Sequence, residues 1–204
     1  PDIKRPGQSK LFFIDLGEGK NRLGGSALAQ VYNQTGDESP DVDDPELLKR
    51  TFNAVQALID RGLILSGHDR SDGGLITTLL EMAFAGNCGI DISQKSEVRS
   101  QKSNEEIIAM LFSEELGLVI EYLPEKEYEI ISIFKNFSVP YEIIGKTLSE
   151  KRISVKHLTP DSSLLTLLDE DMRMLRSIWE ETSYQLERLQ ANPECAEEEK
   201  KNIF

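Results

Sequence analysis

The sequence predicts an α/β or α+β fold, in which helices pack on a mixed β-sheet, followed by a long C-terminal helix. Two observations support this prediction. Short apolar runs, which are typical of buried strands, alternate with segments whose apolar residues recur every three or four positions. From Asp169 to Gln190 that alternation is replaced by one continuous amphipathic stripe. We therefore expect a subdomain at residues 1–158 and a helical extension at residues 159–204.

The first half of the chain is predicted to alternate strands with helices. The expected strands are Leu11–Leu16, Leu63–Ser66 and Gly89–Ile92, and the expected helices are Ser26–Tyr32, a segment between Asp44 and Gly62, and Leu75–Ala85. The second helix has the clearest start, because Asp44 supplies a capping carboxylate and Pro45 suits the first helical position. Its apolar residues recur at three- and four-residue spacing and are expected to face the core: Leu48, Phe52, Val55 and Ile59.

The second half continues the alternation after a polar segment, Ser93–Asn104, that is expected to be a mobile loop. Helices are predicted at Glu105–Phe112 and Pro124–Phe137, and strands at Gly117–Tyr122, Tyr141–Ile144 and Ile153–Val155. The long helix is expected to dock on the side of the subdomain through one stripe: Met172, Leu175, Trp179, Leu186 and Leu189. The charged run Ala196–Lys201 is expected to be a solvated tail.

Composition excludes several classes of function. The 204 residues carry a net charge of -13, which disfavours binding to nucleic acid but leaves a small phosphate ligand possible. There is no apolar run of about 18 residues, so we expect no membrane span. Cys88 and Cys195 lack metal-type spacing, which suits a reducing cytoplasm. The chain begins at Pro1 instead of methionine, which indicates either an excised fragment or a processed chain.

The strongest local signal for chemistry is the glycine-rich segment Gly67–Gly74 (GHDRSDGG), with a strand before it and an apolar helix after it. Glycines permit close backbone approach, and a helix N-terminus offers N–H groups to a phosphate. Asp69 and Asp72 could hold a divalent cation, while Ser71 could hydrogen-bond a phosphate oxygen. The alternative interpretation is that Ser71 or Asp72 merely caps the helix and the glycines merely turn the chain. Spacing alone leaves both interpretations open.

The other polar signals are weaker, and none supports a catalytic role. His68 has no evident partner for catalysis and is expected to be structural, while His157 is expected at the surface. Arg22–Ser26 is a second glycine segment that could meet an anion, but it lacks the Lys-Ser/Thr ending of a P-loop, so a structural turn is favoured. Glu114 and Glu115 could form a carboxylate pair, although a solvated turn is the more common arrangement.

Four segments, in this order, carry a family resemblance: Leu23–Tyr32 (LGGSALAQVY), Gly67–Gly89 (GHDRSDGGLITTLLEMAFAGNCG), Phe112–Gly117 (FSEELG) and Trp179–Leu189 (WEETSYQLERL). Together they resemble the second synthetase half of the formylglycinamide ribonucleotide amidotransferase family in its large single-chain form. The resemblance extends from about Leu11 to about Glu199. It implies the C-terminal subdomain of that half, with the fold of the aminoimidazole ribonucleotide synthetase C-terminal domain. Asn192–Cys195 resembles the segment that leads toward the family's glutaminase domain.

The resemblance also implies a function. Members of this family are ATP- and glutamine-dependent ligases that convert formylglycinamide ribonucleotide to formylglycinamidine ribonucleotide, and they hold ADP with Mg²⁺ at an auxiliary site. The matching motif makes Asp69 the expected Mg²⁺ ligand and Ser71 an expected contact to the phosphates of ADP or ATP. The remaining ligands would lie in the N-terminal synthetase subdomain. This chain would therefore provide half a site and be inactive alone.

Two other hypotheses remain. One is a purely structural docking subdomain with no nucleotide contact. The other is a free-standing ATP-using synthetase with a complete site, which would need a lysine and acidic ligands that the chain does not supply.

Overall fold

The centre of the protein is a seven-stranded mixed sheet. The computed structural model describes residues 1–94, 103–158 and 164–202. The strands are β1 Lys10–Asp15, β2 Ser66–Asp69, β3 Gly89–Gln94, β4 Gly117–Tyr122, β5 Glu142–Leu148, β6 Arg152–Leu158 and β7 Leu164–Asp171. Their order across the sheet is β2-β4-β1-β5-β3-β6-β7. Within the described ranges, the β3–β6 pair alone is parallel and the other pairs are antiparallel, so the predicted mixed sheet is confirmed.

Helices cover both faces of this sheet. They are α1 Ala27–Val31, α2 Pro45–Asp60, α3 Gly74–Gly86, α4 Asn104–Phe112, α5 Glu127–Phe137, α6 Met172–Gln190 and α7 Pro193–Asn202, with a 3₁₀ turn at Pro124–Lys126 before α5. Strand β1 lies in the interior of the sheet, and its consecutive apolar residues are explained by burial on both faces. Leu11 and Phe13 join the core beneath α3 and α4, whereas Phe12 and Ile14 join the core beneath α2 and α5.

The face of α2 that packs on the core differs from the predicted one. The buried residues are Leu47, Thr51, Ala54 and Leu58, whereas three members of the predicted row are exposed: Leu48 (40%), Phe52 (61%) and Ile59 (50%). Both rows recur at helical spacing and lie side by side on the helix, so periodicity cannot distinguish them. The row that contains Thr51 and Ala54 has the smaller side chains, which suits close packing against α5 and the sheet. The start of α2 is as predicted, since the Asp44 carboxylate accepts a hydrogen bond from Leu47 N at 2.9 Å.

Two strands differ from the sequence-based expectation. Strand β2 begins at Ser66 and includes Gly67, His68 and Asp69, so the glycine-rich segment starts inside the sheet instead of after it. No strand is predicted at the position of β7, and the predicted long helix includes Asp169–Asp171. In the structure these residues belong to β7, and α6 begins at Met172. Because β7 is an exposed edge strand with one partner, β6, it lacks the clear alternation that marks a half-buried strand.

Among the described residues, the C-terminal helices pack against the rest of the protein near the start of α6, where α6 meets α3 and β7. Met172 is fully buried and Trp179 contacts Phe84 with ring centroids 5.8 Å apart. Farther along, Leu186 is 52% and Leu189 84% exposed, so the predicted docking is wrong for this half of the helix. The expected tail forms helix α7 instead. The division at residue 158 stays a prediction, although β7 beyond it belongs to the same sheet.

Of the expected polar loop at Ser93–Asn104, the ends belong to β3 and α4, and residues 95–102 lie outside the described residues. Among the described residues, no helix combines the length and apolar character needed to cross a membrane.

Candidate functional site

The strongest candidate site lies where the edge strand β2 meets the start of α3. Asp69 is the last residue of β2 and pairs with Leu118 of β4. Gly73 and Gly74, with φ of 82° and 74°, then turn the chain into α3. These φ values favour glycine. At Gly74 a Cβ atom would also lie 2.6 Å from the carbonyl carbon of Phe112, so this turn has no room for a side chain.

Asp69 and Ser71 both face solvent. The side chain of Asp69 is 71% exposed, and Ser71 and Asp72 are also exposed. Within this turn, Thr78 Oγ1 donates to the carbonyl oxygen of Asp69 at 3.1 Å, and Gly74 N donates to the carbonyl oxygen of Ser71 at 2.9 Å. Both predicted site residues are therefore accessible to a ligand, and their roles stay predictions.

The N-terminus of α3 is not capped by either residue of the alternative interpretation. Gly73 occupies the N-cap position and no side chain of the cap residue bonds to the helix, so neither Ser71 nor Asp72 caps it. Gly73 N instead donates to Glu114 Oε1 at 2.8 Å. The first turn of α3 brings the positive end of the helix dipole close to Ser71, and the Glu114 carboxylate offsets part of that positive charge.

Arg70, between the two site residues, points into the protein and anchors the segment. Its side chain is only 1% exposed and forms an ion pair with Asp15 at 2.7 Å. Its guanidinium also donates to the carbonyl oxygens of Glu115 and Leu116 and lies over the ring of Phe13, 4.9 Å from the centroid. Sequence reasoning assigned Arg70 no role. The signal that could have found it is the alternation of a strand, which turns Arg70 inward when Asp69 and Ser71 turn outward.

The expectation of a solvated turn is wrong for Glu115, whose side chain is fully buried. It accepts from Arg22 Nε at 2.6 Å and Arg22 Nη2 at 2.9 Å. Burial by itself would raise the pKa of Glu115, but hydrogen bonds from Arg22 hold that pKa below its usual value. Arg22 also pairs with Asp43 at 2.7 Å. The guanidinium of the second glycine segment is thus already neutralised within the protein, which favours the structural turn there.

The two histidines lie in different environments. His68 Nε2 lies 3.0 Å from Glu81 Oε2 and His68 Nδ1 lies 3.3 Å from Asp69 Oδ1, so this ring links β2 to α3 beside the site. His157 is 4% exposed and lies on β6, which corrects the expectation of a surface position. His68 therefore has carboxylate neighbours that the sequence did not reveal, and its role stays a prediction.

Only part of a metal site can be built from the residues described. Among them no group of three or more His, Cys, Asp or Glu side chains is placed to hold an ion. The exposed Asp69 carboxylate fits one oxygen ligand of Mg²⁺, which prefers about six oxygen ligands and keeps several waters. The remaining protein and phosphate ligands would have to come from outside this set.

An apolar groove of about 400 Å³ runs alongside Asp69 between α2 and the sheet. Its lining includes Val55, Ile59 and Ile64 together with Leu118 and Ile120 of β4. The groove lies on the same side as the exposed row of α2, so the surroundings of Asp69 combine a polar turn with a substantial apolar surface.

Comparison with known proteins places these features in a family. Residues 13–158 match the family model described as AIR synthase related protein, C-terminal domain. The chain is 43% identical over 213 residues to the phosphoribosylformylglycinamidine synthase of Dictyostelium discoideum, covering 100% of this chain and 16% of the relative. It is 45% identical over 204 residues to a probable phosphoribosylformylglycinamidine synthase, chloroplastic/mitochondrial, of Arabidopsis thaliana, covering 100% of this chain and 14% of the relative. The chain thus spans about a sixth of the length of these relatives.

A solved structure shares the fold. T. maritima PurL complexed with ATP superposes with a TM-score of 0.61 and 18% identity, covering 85% of this chain and 26% of PurL. The expected fold, the C-terminal domain of the aminoimidazole ribonucleotide synthetase type, is confirmed by the family model and by this similarity.

Proposed function

The chain belongs to the AIR synthase related proteins, as the C-terminal domain of that family, and from this premise we propose that it forms part of a phosphoribosylformylglycinamidine synthase. The complete enzyme would use ATP and glutamine to convert formylglycinamide ribonucleotide to formylglycinamidine ribonucleotide in de novo purine biosynthesis. Identity of more than 40% across the whole chain to two synthases supports this proposal. The expected location remains the cytoplasm.

Within that enzyme, we propose that this chain forms one wall of an auxiliary Mg-ADP site and supplies no catalytic residue. The observation that carries the proposal is the exposure of Asp69 and Ser71 together at the start of α3, with Arg70 between them buried. A carboxylate suits Mg²⁺, and a hydroxyl and a helix N-terminus suit phosphate oxygens. The ATP complex of T. maritima PurL, which shares the fold, adds support for nucleotide binding.

Each residue would have a distinct task at such a site. Asp69 would hold Mg²⁺ through its carboxylate, and bound Mg²⁺ would offset the diphosphate charge. Ser71 would donate its hydroxyl to a phosphate oxygen. Arg70 would contribute nothing directly, because its charge is already paired with Asp15, but it would keep the segment rigid. The net charge of -13 makes such local neutralisation necessary for an anionic ligand.

Nucleotide binding by the complete protein tests this site. We expect Ser71→Ala to weaken Mg-ADP binding by about tenfold to 100-fold, since a hydrogen bond to a charged group contributes about 1.5–3 kcal/mol. Asp69→Asn should also weaken binding, because it removes the charge of a carboxylate ligand of Mg²⁺. Asp60→Asn is the matched control, because it removes the same charge from an exposed position outside the Gly67–Gly74 segment. Equal Mg-ADP affinity in all three variants and the wild type would exclude the proposed site.

Catalysis is tested separately. The complete protein should form the amidine product from formylglycinamide ribonucleotide, ATP and glutamine, whereas residues 1–204 alone should show no turnover and little or no Mg-ADP binding in calorimetry. Tight binding of Mg-ADP by this chain alone would contradict a half-site and favour the free-standing synthetase.

The remaining domains of the same enzyme, including an N-terminal synthetase subdomain and a glutaminase domain, are the partners that we propose. Apolar side chains that are exposed in the described part of the chain support this, among them Leu186 and Leu189 of α6. In the complete protein, Leu189→Ser should lower the thermal stability, whereas Gln190→Ser, at an exposed polar position of the same helix, should leave it unchanged. Loss of stability without any effect of Asp69→Asn on nucleotide binding would favour the docking-only alternative.

A further inference from the structure

One carboxylate connects the two glycine segments of this protein. Glu114 Oε1 accepts a hydrogen bond from Gly73 N at 2.8 Å and another from Ala27 N at 2.8 Å. Gly73 is the N-cap of α3, and Ala27 is the first residue of α1. A single oxygen atom thus holds the starts of two helices that lie far apart in the sequence.

The negative charge of Glu114 strengthens the two hydrogen bonds that its carboxylate accepts. A carboxylate that accepts from backbone N–H groups forms charge-assisted hydrogen bonds, which are about twice as strong as neutral ones. The negative charge also lies at the positive end of a helix dipole in α3. Glu114 is only partly exposed, so water can replace it only in part if the side chain is removed.

The two site residues are held by different parts of the protein. Asp69 is paired with Leu118 within the sheet, and Arg70 N donates to the carbonyl oxygen of Gly117 at 2.8 Å. Ser71 lies beyond the last of these strand contacts. The turn that follows it is tied to the rest of the protein at Gly73 by Glu114.

We propose that Glu114 is a positioning residue that sets the place of Ser71 relative to Asp69, and thereby the affinity for nucleotide, through the backbone amide of Gly73. This inference rests on the proposed Mg-ADP site. Loss of Glu114 would displace the Ser71 hydroxyl that meets the phosphates. Asp69 would keep its position on the sheet and its role toward the cation.

The test uses substitutions of Glu114 in the complete protein. Glu114→Ala removes the acceptor, whereas Glu114→Gln keeps an oxygen at the same reach and serves as the matched control. We expect Glu114→Ala to weaken ADP binding about tenfold, and Glu114→Gln to stay within about threefold of the wild type. With ADP held at the same multiple of each variant's Kd, the Mg²⁺ concentration that gives half-maximal ADP binding should be unchanged in Glu114→Ala but raised in Asp69→Asn, a split that general loss of structure would not produce.

A second measurement does not depend on the nucleotide. Hydrogen exchange of the complete protein, measured by mass spectrometry on peptides covering residues 23–28 and 71–75, should be faster in both peptides for Glu114→Ala. The increase should be smaller for Glu114→Gln, which keeps an acceptor oxygen but loses the charge. If Glu114→Ala does not fold, Glu114→Asp replaces it in both measurements. Its shorter side chain keeps the charge but cannot reach both amides, so faster exchange and weaker ADP binding are again expected.

The outcomes distinguish the two proposals. Unchanged exchange in both peptides would overturn the positioning role. Faster exchange with wild-type ADP affinity, alongside weakened binding in Ser71→Ala, would overturn the positioning role and leave the site intact. Wild-type affinity in Asp69→Asn and Ser71→Ala would overturn the Mg-ADP site and this inference with it.

Discussion

Replacing Arg70 by methionine should destabilise the protein far more than the same replacement at a surface arginine. The change removes the ion pair with Asp15 and leaves the carbonyl oxygens of Glu115 and Leu116 without the guanidinium that they bind. Loss of one partner of a buried pair costs about 3–5 kcal/mol. Asp15 is 25% exposed and keeps hydrogen bonds from Gly17 N and Gly19 N, so a value near the lower end, about 3 kcal/mol, is expected.

Urea unfolding of the 204-residue chain, followed by circular dichroism, measures this free energy. The matched control is Arg152→Met, because Arg152 Nε meets Asp169 at 2.6 Å but the arginine side chain is 55% exposed. Exposed pairs contribute about 0–1 kcal/mol. At about 2–4 °C per kcal/mol for a chain of this size, the Arg70 variant should melt roughly 6–12 °C below the wild type. Equal losses in the two variants would refute the assignment of Arg70 as the anchor of the site.

Three further predictions concern other residues. The pKa of Glu115 is held below its usual value, so its stabilising contribution is present above the unfolded-state pKa and is lost as pH falls through the folded-state pKa. In Glu115→Gln, the free energy of unfolding should therefore fall less steeply as the pH is lowered. Gly74→Ala should destabilise the chain more than Gly62→Ala in urea unfolding, because φ is positive at both positions but only Gly74 meets backbone atoms within 3 Å. Burial raises the pKa of Cys88 to about 12, so mass spectrometry after brief alkylation of the folded chain should find Cys195 modified and Cys88 intact.

Much of the secondary structure could be predicted because its signals are local. The Asp44-Pro45 start of α2, the apolar run of β1 and the glycines that bound α3 each act within a turn or a strand length. The accessible positions of Asp69 and Ser71 also follow from a strand that ends in a glycine turn. Their ligand does not follow from that pattern, since the same turn suits a simple chain reversal.

The sequence by itself determined the α/β alternation, the mixed class of sheet, and the family to which the chain belongs. Only the tertiary structure decided which row of α2 faces the core, that β7 completes the sheet, and that Arg70, Glu114 and Glu115 join separate segments. The physical reason is distance along the chain. Arg70 bonds a residue 55 positions away, and Glu114 and Glu115 bond residues 87 and 93 positions away. Such contacts are set by the order of strands in the sheet, which local periodicity does not encode.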